Sequence, residues 1–144
     1  VNASSSVVRT LLAEGEVSLA ARCLGYSYVL EGTVVGGQQI GRTLGFPTAN
    51  MSITGYESVE RGVYRSSVEI DGVRYRAMSN VGIRPSVGGK ELLLETHVME
   101  FTGDLYGRRL AVCLEEKIRD EKRFSSIGDL KEQLMRDYDL IRSR

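Results

Sequence analysis

The chain has 144 residues, enough for one domain with a hydrophobic core and too few for two full domains. Lysine and arginine together total 19, and aspartate and glutamate together also total 19, so the formal net charge is zero. The basic excess typical of nucleic-acid-binding proteins is therefore missing. The apolar runs are too short to span a membrane, and no basic segment followed by an apolar stretch indicates a signal peptide.

The cysteine and glycine content indicates the cellular compartment and the fold class of the protein. Cys23 and Cys113 stand far apart and form no CxxC motif. Unpaired cysteines favour a reducing compartment, so we expect a cytoplasmic protein; the alternative is that both are simply small core residues. The 16 glycines, against two prolines, indicate tight turns and close backbone approaches, as in a compact β protein or a phosphate site.

The amino-terminal segment differs in character from the rest of the chain. Residues 7–24 are rich in Ala, Leu and Glu and predict two short helices that are broken at Gly15. Gly25 is a natural C-cap for the second helix. From Tyr26 onward the character of the sequence is β.

Short β-type runs follow one another through the centre of the chain. The Asp71-Gly72 pair joins two of them and is a strong hairpin signal. Five or six strands followed by one helix predict a small closed antiparallel barrel with the helix packed outside it. The predicted strands comprise residues 28–35, 63–70, 73–78, 92–101 and 110–118.

The carboxyl-terminal segment predicts an amphipathic helix. Ser126 is a candidate N-cap, and Asp129 three residues later completes a capping-box-like pattern. One apolar stripe recurs at helical spacing. Its members are Ile127, Leu130, Leu134, Tyr138 and Ile141.

A glycine-containing loop, residues 36–45, follows the first strand. Its backbone N–H groups could cradle phosphate oxygens, because glycine lets the backbone approach a ligand closely. It is not a P-loop, since three residues separate Gly37 from Gly41 and Arg-Thr follows. A plain surface loop is the alternative. The candidate phosphate-facing residues are Gly36, Gly37, Gly41, Arg42 and Gly45.

The segment Phe46-Pro47-Thr48-Ala49-Asn50 places two oxygen-bearing side chains two residues apart. In an extended conformation the side chains of Thr48 and Asn50 point to the same side. A hydroxyl and an amide oxygen are ligands that Mg²⁺ accepts beside phosphate oxygens, so these residues are candidate metal ligands. The alternative is a local turn in which both side chains bond to the backbone.

Glu95 interrupts an apolar strand and shares its face with His97, the only histidine. A carboxylate in such a run is costly to bury without a partner or a function. It could accept the proton of an attacking hydroxyl group. The alternative is a strand whose Glu95 and His97 simply face solvent.

Several motifs together resemble the riboflavin kinase family. They occur in the family's order over roughly residues 26–140. Ser86 stands where the family pattern has Thr. The matching segments are Gly41 to Asn50 with its Pro-Thr-Ala-Asn core, Gly62-Val63-Tyr64, Ala77 to Val87, Glu95-Thr96-His97, Phe101 to Gly107, and Ile118 to Phe124.

The resemblance implies a six-stranded antiparallel Greek-key β-barrel with a carboxyl-terminal helix, transferring phosphate from ATP to the 5′-hydroxyl of riboflavin and giving FMN and ADP. It implies that Thr48 and Asn50 bind Mg²⁺ and nucleotide and that Glu95 is the catalytic base. The loop with Arg42 then faces phosphate, and the remaining members of the cofactor-binding set are Tyr64, Arg84 and Arg119. Arg119 and the 80–87 loop are expected to close on flavin and nucleotide.

A second resemblance concerns the amino terminus. Ala3 to Arg9 is similar to the motif that closes the FMN adenylyltransferase domain of bifunctional bacterial FAD synthetases. With one histidine, the chain cannot supply the paired histidines of that domain. We therefore expect residues 1–25 to be a remnant of an upstream adenylyltransferase domain and linker, covalently joined to a kinase domain at 26–144.

Two other classes of function fit a small barrel. It could be a passive small-ligand-binding module, or a degenerate kinase domain retained for assembly or regulation. The presence of Thr48, Asn50 and Glu95 together counts against both. Formation of FMN from riboflavin and Mg-ATP separates all three hypotheses.

Overall fold

The computed structural model describes residues 29–35, 45–53, 59–86 and 88–143, with backbone alone for 84–86. The helices predicted within residues 7–24 lie outside this part of the chain. The described elements are β1 (Val29–Val35), β2 (Ala49–Ser52), β3 (Gly62–Ile70), β4 (Val73–Ser86), β5 (Gly89–Val98), β6 (Arg109–Arg119) and the helix α1 (Ile127–Arg142).

The six strands close into an antiparallel barrel in the order β1-β2-β5-β4-β3-β6. Strands β3, β4 and β5 form a meander, and β6 returns to pair with β3, which is Greek-key connectivity. The predicted Greek-key barrel with one carboxyl-terminal helix is therefore confirmed. Closure leaves no free sheet edge between these strands.

The hairpin between β3 and β4 forms where the sequence predicts it. Asp71 and Gly72 both have positive φ angles, 52° and 81°, as a tight two-residue turn requires. Strand β4 runs 14 residues, to Ser86, well beyond the predicted end at Met78. The prediction ended there because Ser79 and Asn80 interrupt the apolar pattern, whereas both are paired with β5 in the barrel.

One chain of hydroxyl groups crosses the otherwise largely apolar part of the barrel interior that the structure describes. Ser66, Ser79 and Thr96 are almost fully buried, and Ser79 Oγ lies 2.8 Å from both of the other hydroxyl oxygens. These bonds explain how polar residues are tolerated in the interior. Around them pack Leu30, Val34, Met51, Ile53, Tyr64, Val68, Val81, Leu94, Val112 and Leu114.

Helix α1 packs on the outer face of the barrel. Its N-cap is Ser126, whose hydroxyl accepts the Asp129 N–H at 3.1 Å, as predicted. Of the predicted apolar stripe, Ile127 is not part of the cluster under the helix, and the residue is 60% exposed. The outer cluster under the helix contains Val63, Met78, Met99 and Ile141, with Phe46, Ile118, Leu134 and Tyr138 against it.

Cys113 is a buried free thiol in β6. Cys23 lies outside the described residues. Within the described residues, no helix combines the length and apolar character needed to cross a lipid bilayer.

Candidate functional site

A row of register partners crosses five neighbouring strands of the barrel. Asn50 of β2 is opposite Glu95 of β5, which is opposite Asn80 of β4. Asn80 is in turn opposite Val63 of β3, and Val63 is opposite Arg119 of β6. Because directly opposed residues in antiparallel strands point to the same face, this row lies on the outer face, toward α1.

A cavity of about 210 Å³ lies between this row and the helix. The sheet contributes Asn80, Glu95 and His97, and the segment after β6 contributes Glu121 and Lys122. The opposite wall is apolar and comes from Phe124, Leu130 and Leu134. Such a cavity can hold a flat apolar group on one side while polar groups act on its other side.

Thr48 lines the cavity, and Asn50 is the cross-strand partner of Glu95, which also lines it. The Thr48 hydroxyl donates a hydrogen bond to Asn50 Oδ1 at 3.0 Å, and Asn50 is only 3% exposed. The two oxygens are therefore adjacent on one side of the segment. Because the Thr48 proton is engaged with Asn50, the lone pairs of the Thr48 oxygen remain available to a cation.

His97 fixes the segment that carries Thr48. Its Nδ1–H donates to the Pro47 carbonyl at 2.8 Å, since a carbonyl can only accept. The Phe46 ring packs edge-on against His97, with the ring centroids 5.4 Å apart, and it also contacts Tyr138 of α1. The segment before β2 is thus attached to both β5 and the helix.

Arg119, at the end of β6, lines the cavity but is held by the helix. Its Nε and Nη2 donate to the Asp137 carboxylate at 3.0 and 2.8 Å, and Nη1 donates to the Asp120 carbonyl at 3.0 Å. Asp137 is 2% exposed and also accepts from Gln133. In this arrangement Arg119 joins the barrel to α1 and positions the segment that closes the cavity.

Glu121 packs against β4 where that strand has no side chain. A methyl group at Gly82 would lie 2.6 Å from Glu121 Oε2. The absence of a Cβ at Gly82 therefore permits the segment after β6 to approach the sheet. This contact places the Glu121 carboxylate in the cavity wall.

Tyr64 lies on the opposite face of β3 from this cavity. It is fully buried in the barrel core, and its hydroxyl donates to the Glu60 carbonyl at 2.6 Å. Burial raises the pKa of the Tyr64 phenol well above its usual value, and the nearby Glu60 and Asp120 carboxylates add to the effect. The register of β3 turns the Tyr64 side chain into the barrel interior, away from this cavity, and its cofactor contact stays a prediction.

The remaining predicted residues fall at the margins of the described structure. Gly45 is exposed, with a φ of 88°, immediately before Phe46. For Arg84 only the backbone in β4 is described. The other loop residues, Gly36, Gly37, Gly41 and Arg42, lie outside the described residues.

Asn80 was predicted only as the first residue of a closing loop at 80–87, but residues 80–86 belong to strand β4 and pair with β5, and Asn80 lines the cavity. Its side-chain oxygen is buried and has no hydrogen-bond donor within the described residues, although the residue lines the cavity and is opposite Glu95. A buried acceptor without a donor costs about 1–3 kcal/mol, so its retention points to a ligand that supplies the donor. The interruption of the apolar β4 pattern at this position was the available sequence signal.

In the described part of the chain, no group of three or more His, Cys, Asp or Glu side chains is arranged to hold a metal ion. The donor set at Thr48 and Asn50 is of a different kind, a hydroxyl and an amide oxygen. Such a pair binds Mg²⁺ weakly unless phosphate oxygens complete the coordination.

The chain matches a family model described as "Flavokinase: Riboflavin kinase" over residues 24–144. The bifunctional riboflavin kinase/FMN adenylyltransferase of Escherichia coli strain K12 is 42% identical over 140 residues. That alignment covers 95% of this chain and 44% of the relative, so the chain spans less than half the relative's length.

Solved structures share the same architecture. A crystal structure described as a macrolide-efflux protein from Streptococcus pneumoniae superposes with a TM-score of 0.90 at 35% identity, covering 98% of this chain and 47% of that one. A riboflavin kinase from Trypanosoma brucei superposes with a TM-score of 0.56 at 24% identity, covering 80% and 77% of the two chains. The second likeness bears on the fold alone.

Proposed function

The chain belongs to the riboflavin kinase family, and we propose that it transfers the γ-phosphate of ATP to the 5′-hydroxyl of riboflavin, giving FMN and ADP. One observation carries the proposal beyond family membership. Glu95 lies between two amide side chains, Asn50 and Asn80, in a cross-strand row that opens on a cavity with an apolar far wall. A flavin ring suits the apolar wall, and its ribityl hydroxyls suit the polar row.

Glu95 is the proposed base. As the ribityl oxygen attacks the γ-phosphorus, the new P–O bond forms while the bond to the ADP oxygen breaks and the hydroxyl proton passes to the carboxylate. Since phosphoryl transfer depends mainly on alignment and charge neutralisation, the base need not be strong. Asn80, with its unpaired buried oxygen, is suited to accept a hydrogen bond from a neighbouring ribityl hydroxyl.

Thr48 is the proposed contact to Mg²⁺ in the Mg-ATP complex, and Asn50 orients it through their hydrogen bond. A bound Mg²⁺ would neutralise charge on the phosphate oxygens. The Thr48 oxygen fits this role because its lone pairs stay free while its proton is donated to Asn50. The loop at 36–45, with Arg42, is proposed to face the phosphates.

The larger protein context is also a proposal. Curated relatives are named as bifunctional enzymes, and the chain aligns with less than half of one from Escherichia coli. We infer that residues 1–25 end an adenylyltransferase domain and that residues 26–144 form the kinase domain. A cytoplasmic location agrees with the need for ATP.

The direct test supplies riboflavin, ATP and Mg²⁺ to the purified chain and separates the products by chromatography. Equal amounts of FMN and ADP are expected, and neither should form when Mg²⁺ is chelated. A passive binding barrel would bind riboflavin, quenching its fluorescence, without turnover. A degenerate kinase would yield no FMN at any enzyme concentration, and either result would overturn the proposal.

A further inference from the structure

A second cleft, of about 310 Å³, lies on the outer face of the barrel beside the carboxyl end of α1. Three arginines line it: Arg65 from β3, and Arg74 and Arg76 from β4. Among the described residues that line it, Glu115 of β6 is the one carboxylate. Three positive charges against one negative charge leave a formal excess of two positive charges.

The β4 arginines are held in place without a carboxylate. Arg74 and Arg76 are two residues apart and therefore share a face of the strand. Arg74 Nη2 donates to Ser67 Oγ at 2.8 Å, and Arg76 Nη1 donates to the Arg142 carbonyl at the end of α1, also at 2.8 Å. No carboxylate within the described residues forms an ion pair with either one. Each guanidinium thus keeps further N–H donors for a ligand.

Arg65, the third arginine of the cleft, has an N–H donor that is not satisfied. Its Nη1 lies 3.3 Å from Glu115 Oε2, a long contact for an ion pair, and its Nε is buried with no acceptor in the described part of the chain. A buried donor without an acceptor is costly, and native structures rarely retain one without a partner. The missing acceptor and the excess positive charge point to the same kind of ligand.

We propose that this cleft binds a phosphate-type oxyanion. Guanidinium groups present planar, paired N–H donors that match the oxygens of a tetrahedral anion, and a dianion offsets the excess of two charges. When the Arg65 guanidinium turns toward the cleft, an oxygen of the anion becomes the acceptor that its buried Nε lacks. None of these three arginines lines the cavity with Glu95, so the proposal is independent of the proposed kinase function.

The test is a titration of the ¹⁵N-labelled chain with inorganic phosphate at low ionic strength, followed by amide NMR shifts. Saturable shifts are expected at Ser67, Arg74 and Arg76. The variant Arg74→Gln/Arg76→Gln should weaken this binding about tenfold or more, because charge-assisted hydrogen bonds are lost. The control Arg109→Gln/Arg136→Gln removes the same charge from two exposed side chains and should leave the affinity unchanged.

A second titration distinguishes free phosphate from a phosphate ester as the ligand. A phosphate ester such as AMP that binds the cleft more tightly than inorganic phosphate would indicate an ester ligand, and equal affinities would indicate the free anion. Arg74→Gln alone preserves the hydrogen bond from Arg76 to the end of α1. If the double variant unfolds, the phosphate affinity of this single variant tests the proposal. Phosphate affinity unchanged in the folded Arg74→Gln variant, or weakened equally in the control, would overturn the proposal. The rate of FMN formation should not change.

Discussion

Arg119 and Asp137 form a two-pronged ion pair between the last residue of β6 and the middle of α1, with Nη2 and Nε of the arginine 2.8 and 3.0 Å from Asp137 Oδ2. The Arg119 side chain is 15% exposed and the Asp137 side chain 3%. The pair is therefore shielded from solvent, and it lies next to the segment after β6, whose Glu121 and Lys122 line the cavity. It fixes that segment only while both charges are present.

Replacing Asp137 should destabilise the domain strongly. Asp137→Asn keeps the shape but leaves the Arg119 charge buried without compensation, which costs about 3–5 kcal/mol. Urea unfolding measures the change. The matched control is Glu132→Gln, which breaks an exposed pair with Arg136 on the same helix and should cost under about 0.5 kcal/mol. Similar losses in both variants would contradict the structural role of the buried pair.

Gly62 is required by a close approach of two strands. Its φ is 152°, and a methyl group there would lie 2.6 Å from the Arg119 carbonyl oxygen. Gly62→Ala should cost about 2–4 kcal/mol from backbone strain and overpacking together. The control Gly72→Ala also has a positive φ but meets no atom within 4 Å, so it should cost only about 1 kcal/mol. Thermal unfolding of both variants tests the ordering.

Patterns among residues close in sequence predicted most of the strands and the carboxyl-terminal helix. The positions of the site residues depend instead on how the strands pair in the closed barrel. The Asp71-Gly72 turn and the Ser126 cap depend on neighbours in sequence, so they were readable. The row that sets Glu95 between Asn50 and Asn80 depends on register between strands distant in sequence, which no local pattern encodes. The direction of the Tyr64 side chain depends on register in the same way, because a motif identifies a residue, whereas register decides which face it occupies.

Substitutions of Asn80 distinguish a ligand-binding role of this residue from a structural one. Asn80→Leu removes a buried acceptor that lacks a donor, so stability should stay unchanged or rise slightly. If a ribityl hydroxyl supplies that donor, the KM for riboflavin should rise about tenfold or more. Asn80→Asp keeps an acceptor and should bind riboflavin better than the leucine variant. A leucine variant with normal KM would remove Asn80 from the substrate site.

Thr48 and Asn50 should affect nucleotide binding more than flavin binding. Thr48→Val deletes the oxygen that faces the cavity at nearly constant volume, and the affinity for Mg-ATP should fall about tenfold or more. Thr48→Ser retains the hydroxyl and serves as the control. Asn50→Ala should act in the same direction, because Thr48 loses the acceptor that orients it. Calorimetric titration with Mg-ATP, then with riboflavin, measures both; equal losses for the two ligands would argue against a metal-nucleotide role.

The Glu95 prediction distinguishes three roles for one carboxylate. Glu95→Gln keeps the size and hydrogen-bonding capacity but removes the proton acceptor. If Glu95 is the base, kcat should fall by about 10²-fold or more while the affinities for riboflavin and Mg-ATP stay near wild type. If it only holds the hydroxyl in line, the loss should be smaller, since glutamine can still hydrogen-bond to the substrate.

A purely structural Glu95 would behave differently again. Because the residue lies in the cavity wall and is opposite Asn50 and Asn80, a structural role would appear as lost unfolding free energy with normal turnover. Glu91→Gln, on the same face of β5 and outside the cavity lining, is the control for removing one carboxylate. Steady-state kinetics and urea unfolding of the two variants together decide among the roles, and wild-type kcat in Glu95→Gln would falsify the catalytic one.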